Sequence, residues 1–149
     1  MPAFFKKELN AVQSQYSKLQ LNYMYDQKLD TQIVDSKSLE KELHDFLLLD
    51  LNKSAYVGAF TRSELHPDSN TLVLHYEANQ KGIDLNSFEI EYKNEEVVQL
   101  AFHFSTTNNL YESGKDLIYK THKGFEIKGF QKTKFKDPVK YTIQVEYLP

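Results

Sequence analysis

The residue types that most often carry out chemistry are present in this chain, but they do not form a recognisable motif. No two histidines are spaced as His-x-x-x-His, and no Gly-x-Ser-x-Gly elbow surrounds a serine. Cysteine is absent, and nothing marks two carboxylates as an acid–base pair. His75 and His103 fall on a predicted solvent-facing strand surface with Glu89 on a strand between them, which is more typical of exposed strand residues than of a metal site. The sequence therefore predicts no catalytic residue, no metal site and no cofactor.

Tyrosines on one face of the predicted strands favour a different activity, the binding of an amphipathic molecule. A buried tyrosine needs a partner for its hydroxyl, so several of them on one curved face suggest an apolar cavity that also carries hydroxyl groups. Such a cavity suits a lipid or another hydrophobic small molecule. The alternative is that these aromatic side chains belong to an ordinary filled core. The predicted cavity residues are Tyr23, Tyr25, Phe46, Tyr76, Tyr92, Phe102, Tyr119 and Tyr141.

Lysines near the C-terminal end form a second candidate site, named here the lysine stripe. Its members are Lys128, Lys132 and Lys134, which share one predicted strand face with Phe130 between them. A basic stripe with one exposed aromatic ring suits an anionic membrane surface, although lysines on outer strand faces also protect sheet edges. The net charge of the whole chain is −3, which argues against a uniformly basic nucleic-acid binder, so no nucleic-acid partner is expected.

Two predicted helices must help to position these residues. The first covers about residues 2–15, and the second covers about residues 36–51, with Asp35 or Ser36 as its cap. The apolar stripe of the first helix consists of Phe5, Leu9, Val12 and Tyr16. The stripe of the second helix consists of Leu39, Leu43, Phe46, Leu47 and Leu51. We expect Leu43 and Phe46 to be buried against a sheet.

Alternation of apolar and polar residues predicts strands in the remainder of the chain. A first strand covers about residues 17–27, residues 28–34 are expected to form a loop, and strands then occupy the chain from 55 to 148. Gly114 is expected to mark a bulge or a bend. No helix of three turns or more is expected after Ser54. The later strands are predicted at residues 55–64, 71–77, 87–93, 96–105, 116–121, 124–135 and 139–148.

Together these elements predict a single α+β domain over residues 1–149. Two N-terminal helices should cover the apolar face of a long antiparallel meander. A sheet of about seven or eight strands cannot remain flat, so it should curl into a half-barrel. The N-terminal end lacks a long apolar run, so neither an intact signal peptide nor a membrane-spanning helix is expected.

The order of helix, amphipathic strand and aromatic meander ending in "KGFEIKGFQKTKF...VKYTIQVEYL" resembles the envelope proteins of the lipoprotein-carrier type. The stretch "YSKLQLNYMYDQ" from Tyr16 is similar in pattern to the first strand of such domains. The resemblance implies a half-barrel with a helical lid that holds acyl chains, and it implies no catalytic residue. It also implies a periplasmic or envelope location if an export signal has been removed; otherwise a cytoplasmic location is expected.

A non-enzymatic bacterial envelope protein that binds an apolar or lipid-like ligand is therefore the expected function. The first alternative is an interaction module with a filled core that uses its outer sheet face. The second alternative is a ligand binder similar to the START/Bet v1 helix-grip group, which ends in a long helix where this chain ends in a strand. An empty apolar cavity above about 300 Å³ between helices and sheet favours ligand binding, and a close-packed interior favours the interaction module. No oligomeric state is predicted.

Overall fold

The computed structural model describes residues 2–149. Within that range the N-terminal third contains a helix, a β-hairpin and a helical segment, and the rest of the chain is almost wholly strand. The helices are α1 (Pro2–Gln15), α2 (Leu39–Glu42) and α3 (His44–Leu47), with short 3₁₀ turns at Ser36–Ser38 and Ser54–Tyr56. The strands are β1 (Lys18–Tyr25), β2 (Lys28–Asp35), β3 (Phe60–Asp68), β4 (Thr71–Ala78), β5 (Leu85–Lys93), β6 (Glu96–Thr107), β7 (Tyr111–Lys120), β8 (Gly124–Thr133) and β9 (Val139–Leu148).

All of these strands form one antiparallel sheet in the order β2-β1-β9-β8-β7-β6-β5-β4-β3. The strands from β3 to β9 each pair with the next along the chain, and the β1–β2 hairpin is added beside β9. The edge strands β2 and β3 do not pair with each other, so the sheet is curved but unclosed. The predicted α+β class, with N-terminal helices and a long curved antiparallel sheet, is confirmed.

The core lies between the helices and the inner face of the sheet. Tyr119 of β7 is at its centre, with its ring centroid 5.2 Å from that of Phe5 in α1 and 5.5 Å from that of Phe46 in α3. Phe46 also packs on Phe125 of β8, with 5.1 Å between ring centroids. Leu43 and Phe46 are fully buried, as their spacing predicts. The middle of the interior is therefore filled by aromatic rings.

The predicted second helix is not continuous, which corrects the expectation for residues 36–51. It breaks at Leu43, and α3 ends before Leu48. The N–H of Phe46 donates to the carbonyl of Leu43 at 3.0 Å, and the N–H of Leu49 donates to the carbonyl of Phe46 at 3.1 Å. Hydrogen bonds between residues three apart belong to 3₁₀ geometry, which keeps Leu43, Phe46 and Leu49 on one face. The N–H of Leu47 donates to the same Leu43 carbonyl at 3.0 Å, so bonds of α and 3₁₀ spacing share this turn.

Residues 28–34 form strand β2, so the predicted loop is wrong. Asp26 and Gln27 have φ values of 45° and 72°, and together they make the two-residue turn that joins β1 to β2. Such turns favour Asn-Gly or Asp-Gly, so the Asp-Gln dipeptide is a weak signal. Leu29 and Ile33 are exposed and lie on the outer face of the sheet. The apolar residues of β2 therefore do not alternate in the way that marks a strand with one face on the core.

The strands after residue 54 agree with the prediction in number and order, but several bounds differ, and β3 extends to Asp68, beyond the predicted end at residue 64. Residues 55–59 precede β3, which begins at Phe60, and β6 and β7 together extend over most of residues 106–115. Gly114 lies within a regular part of β7, opposite Ser105 and Phe130, so the predicted bulge is absent there. A Cβ at Gly114 would lie 2.6 Å from the ring of Phe130, which explains the glycine. No helix of three turns or more follows Ser54 in the described chain, as expected.

Candidate functional site

An open cleft of about 500 Å³ lies between the α3 segment and the inner face of the sheet. One wall is the chain between Asp45 and Tyr56, and β6, β7, β8 and β9 form the floor. The volume falls within the range of about 300–1,000 Å³ that is usual for small-molecule sites. The aliphatic and aromatic residues of the lining are Leu48, Leu49, Leu51, Tyr56, Phe104, Leu117, Phe130 and Tyr141.

The wall of the cleft combines an exposed leucine with a fixed tyrosine. Leu48 follows the last residue of α3, and its side chain lines the cleft while 64% of it remains exposed. Tyr56 is buried, and its hydroxyl donates a hydrogen bond to Asp84 Oδ1 at 2.8 Å. Burial, followed by this bond to Asp84, raises the pKa of Tyr56 to about 12. The hydrogen bond to Asp84 anchors the 3₁₀ turn that closes the wall.

A lysine stands on the floor of the cleft. Lys115 lies on the inner face of β7, between Ser113 and Leu117. Its Nζ is 3.5 Å from Asp45 Oδ2, so an ion pair crosses the cleft from sheet to helix. Exposed fractions of the two side chains are 38% and 37%, so solvent and small molecules reach the pair. The cleft thus combines leucine and aromatic side chains with charged groups on its wall, and it has one ammonium group on its floor.

Tyr141 covers the floor beside this lysine because its neighbour is glycine. Gly129 of β8 is paired with Lys115 on one side and with Tyr141 on the other. A Cβ at position 129 would overlap the ring and hydroxyl of Tyr141. The ring therefore lies across Gly129 toward β7, and the glycine is required for space. This contact gives the floor an aromatic surface and a hydroxyl.

A separate group of polar side chains, the buried carboxylate cluster, lies under α1. It consists of Glu8, Tyr119, His122 and Tyr147, and none of these residues lines the cleft. Glu8 Oε2 accepts hydrogen bonds from the Tyr119 hydroxyl at 2.7 Å and from the backbone N–H of His122 at 3.1 Å. The hydroxyls of Tyr119 and Tyr147 are 2.9 Å apart. Burial is the largest cause that raises the pKa of both tyrosines. The cluster therefore joins α1 to β7, to β9 and to the β7–β8 turn.

The structure does not bring the predicted cavity residues into one cavity. Tyr141 lines the cleft. Phe46, Phe102 and Tyr119 are buried within the filled core. Their aromatic character serves packing, because rings from both helices and sheet meet there.

The remaining predicted cavity residues lie away from the cleft. Tyr23 donates its hydroxyl to Glu42 Oε2 at 2.9 Å, and burial, then Glu42, raises its pKa to about 12. Tyr25 is exposed near the β1–β2 turn, and Tyr76 stacks on Phe88 with 4.4 Å between ring centroids. Tyr92 lies at another open depression, beside the β3–β4 turn.

The lysine stripe lies on the outer face and at its border. Lys128 and Lys132 are exposed on β8, whereas Lys134 follows the end of that strand. Lys128 Nζ is 3.1 Å from Glu126 Oε1, and Glu112 stands opposite Lys132. These carboxylates reduce the positive potential of the stripe. Phe130 is half-buried, with its ring over Gly114. Contact of the stripe with an anionic surface stays a prediction.

Two histidines on the outer face are paired with carboxylates. His75 Nδ1 is 2.9 Å from Glu89 Oε1, and His103 Nδ1 contacts Asp116 Oδ1. Between Pro2 and Pro149, no group of three or more side chains is placed to hold a metal ion. No helix in the same range has the length and apolar character needed to cross a membrane.

Most of the residues that build the cleft are not among the site residues predicted from the sequence. Asp45, Leu48 and Lys115 were not predicted site residues, although Lys115 continues the inward alternation of Leu117 and Tyr119. A strand predicted to begin before residue 116 would have placed this lysine on the inner face. Comparison with models of known protein families and with the sequences of curated proteins finds no match.

Proposed function

We propose that this protein binds an apolar or amphipathic small molecule, such as a lipid, in the cleft between the α3 segment and the sheet, without catalysis. The supporting observation is the cleft of about 500 Å³ with Leu48 as an exposed wall. Complete burial of a leucine side chain contributes about 1.5–3 kcal/mol, so a ligand that covers Leu48 gains part of this. The proposed setting is a bacterial envelope, which rests on the pattern-level resemblance of the sequence alone.

The polar groups of the cleft favour binding over bond breaking. No histidine lines it, so the usual base for activating a serine or threonine hydroxyl is missing from its lining. Lys115 is paired with Asp45. A few charged groups and hydroxyls among leucine and aromatic side chains are typical of sites that orient an amphipathic ligand.

Titration with the fluorescent apolar probe N-phenylnaphthylamine tests the proposal. Leu48→Ser should weaken probe binding about tenfold, which corresponds to about 1.4 kcal/mol, because the wall loses apolar area. The matched control is Leu65→Ser on the outer face of β3, since the two leucines are 64% and 65% exposed. Equal weakening by both variants, or no binding by the wild type, would contradict the proposal.

A second candidate function, an interaction module, is favoured by the free edge of β2. β2 contains no proline and pairs with β1 without a register shift. The opposite edge strand, β3, carries Pro67 and a register shift between Leu65 and Asp68, and both features discourage edge pairing. β2 is therefore the less protected edge. The proposed partner is a second copy of this chain.

The geometry of β2 is self-complementary. The tight turn makes Tyr25 and Lys28 a hydrogen-bonded pair, so the backbone groups of Leu29, Thr31 and Ile33 face the free edge. An antiparallel copy paired about Thr31 would place Leu29 opposite Ile33 twice, on the outer face where both are exposed. Backbone groups and apolar side chains would then be covered together.

Sedimentation equilibrium tests this second candidate. Ile33→Lys should convert a concentration-dependent dimer to monomer, because two lysines would face apolar leucines across the new strand pair. Leu65→Lys on the opposite edge should leave the dimer intact. A wild type that remains monomeric at the highest concentration used would exclude this candidate.

A further inference from the structure

We propose that the ligand of the cleft is an anionic single-chain amphiphile, whose carboxylate or phosphate binds Lys115 while its alkyl chain lies along Leu48 and Leu51. This inference rests on the proposed binding function of the same cleft. It adds the chemical class of the ligand and the group that recognises its head.

The position of Lys115 points to a role beyond solubility. Its two neighbours along the inner face of β7 are Ser113 and Leu117, and its cross-strand partners are Phe104 and Gly129. None of the four carries a charge. An ammonium group on a face that is otherwise apolar or neutral loses hydration and gains little from its own sheet. Its one counter-charge, Asp45, comes from the opposite wall, and an anion in the cleft would supply a second one.

The ion pair with Asp45 leaves room for such an anion. Asp45 is the one acidic side chain within 4.0 Å of Lys115 Nζ among the described residues, and the distance to its Oδ2 is 3.5 Å. An ammonium has three N–H donors, so most of its hydrogen-bonding capacity is left for water or a ligand. Pairs as exposed as this one contribute about 0–1 kcal/mol to stability. A ligand carboxylate can therefore displace Asp45 at low cost.

The other charged side chains of the lining, Asp50 and Lys53, lie on the wall and not on the sheet floor. Asp50 Oδ1 accepts the N–H of Asn52 at 2.9 Å within the turn after α3. Lys53 Nζ lies 5.7 Å from the centroid of the Tyr56 ring, on the wall. Lys115 is thus the cation of the sheet floor. A cationic head group at the same place would meet an ammonium, so an anionic head is favoured.

Competition between Asp45 and the ligand makes opposite predictions for two variants. Lys115→Gln removes the cation and should weaken binding of an anionic amphiphile. Asp45→Asn removes the competing carboxylate and should strengthen it. A purely structural ion pair would give neither pattern, because both variants would then alter only the fold. The opposite signs separate recognition of the head group from support of the fold.

The experiment is calorimetric titration of the full chain with dodecanoate and with dodecanol, which share an alkyl chain and differ in head group. Lys115→Gln should lower dodecanoate affinity about tenfold, as expected for the loss of a charge-assisted hydrogen bond. Asp45→Asn should raise it several-fold. Dodecanol affinity should stay within about twofold in both variants. The exposed outer-face variant Lys128→Gln is the matched control and should change neither affinity.

The outcomes separate this inference from the proposed function. Dodecanol binding with dodecanoate affinity unchanged by Lys115→Gln would overturn the anionic head group and leave the apolar cleft in place. Absence of binding by both compounds would overturn the proposed function and this inference together. Lys115→Arg should retain dodecanoate binding, because the positive charge remains. Loss of binding in Lys115→Arg, with the thermal unfolding midpoint unchanged, would also overturn the inference.

Discussion

Removal of one hydroxyl from the buried carboxylate cluster should destabilise the whole domain. In Tyr119→Phe, Glu8 Oε2 loses the hydrogen bond of 2.7 Å, and the Tyr147 hydroxyl loses its partner at 2.9 Å. The N–H of His122 still donates to Glu8. The packing of the ring is unchanged, because phenylalanine has the same shape without the hydroxyl. The expected loss therefore comes from hydrogen bonding alone.

The size of the loss follows from the charge and burial of Glu8. A hydrogen bond to a charged group contributes about 1.5–3 kcal/mol, and a buried polar group left without a partner costs about 1–3 kcal/mol. Because Glu8 keeps a second donor, we expect Tyr119→Phe to lower the free energy of unfolding by about 2–3 kcal/mol. The control Tyr25→Phe removes an exposed hydroxyl and should change it by less than about 0.5 kcal/mol.

The same cluster should also make the free energy of unfolding depend on pH in the alkaline range. Burial raises the pKa of Tyr119 and Tyr147 above the ordinary value of 10.0. The folded chain therefore keeps protons that the unfolded chain releases above pH 10. Their stabilising contribution is complete below that pH and is lost as the pH rises further, at about 1.4 kcal/mol per pH unit for each group. Tyr119→Phe should lose stability less steeply above pH 10, because one such group is gone.

Urea denaturation of the wild type, Tyr119→Phe, Glu8→Leu and the double variant is the assay. Removing both partners should cost less than the sum of the single changes, because a buried acceptor without its donor is more costly than an apolar pair. Additive losses, or a loss below about 0.5 kcal/mol in Tyr119→Phe, would refute the assignment of the cluster as a main link between α1 and the sheet.

The remaining predictions concern the core, the floor of the cleft and the lysine stripe. Phe46→Ala should lower the free energy of unfolding in urea by about 3–5 kcal/mol, because a fully buried ring is removed; a loss below about 1 kcal/mol would contradict its burial. Gly129→Ala should cost about 1–3 kcal/mol through overlap with Tyr141, and Tyr141→Ala should relieve it in the double variant. Replacing Lys128, Lys132 and Lys134 together with glutamine should reduce the fraction of protein that co-sediments with phosphatidylglycerol vesicles at low salt, if the stripe binds membranes. A triple variant that co-sediments as much as the wild type would exclude this contact.

The fold could be predicted from the sequence where periodicity has a physical cause. Strands β4 to β9 have one face on the core, so alternation marks them, and α1 has a helical stripe that includes Phe5 and Val12. β2 lacks this signal because it is an edge strand with apolar side chains on its outer face. The break at Leu43 depends on packing against the sheet, which a repeat of 3.6 residues does not contain.

The cleft was harder to predict than the fold, because its lining residues depart from the alternation and helical spacing that mark buried positions. Leu48 lies at the end of the helical segment and is exposed, although its apolar character suggests a core position. Lys115 is a charged residue at an inward position of β7, and the predicted strand began at residue 116, five residues after the observed start of β7 at Tyr111. Of the tyrosines predicted to line a cavity, Tyr119 lies in the core and Tyr141 lines the cleft. The volume of a cleft between a helical segment and a sheet is set by tertiary packing, which the spacing of residues in the sequence does not show.

Mapping of dodecanoate on the protein by amide NMR tests the central claim most directly. If the cleft is the binding site, the largest shifts on titration should occur along two segments, residues 45–53 and 113–117, and at Tyr141. Residues of the outer face, such as Glu89 and Lys128, should not shift. Shifts confined to the outer face or to β2, or no saturable shift at any residue, would contradict a binding site between the α3 segment and the sheet.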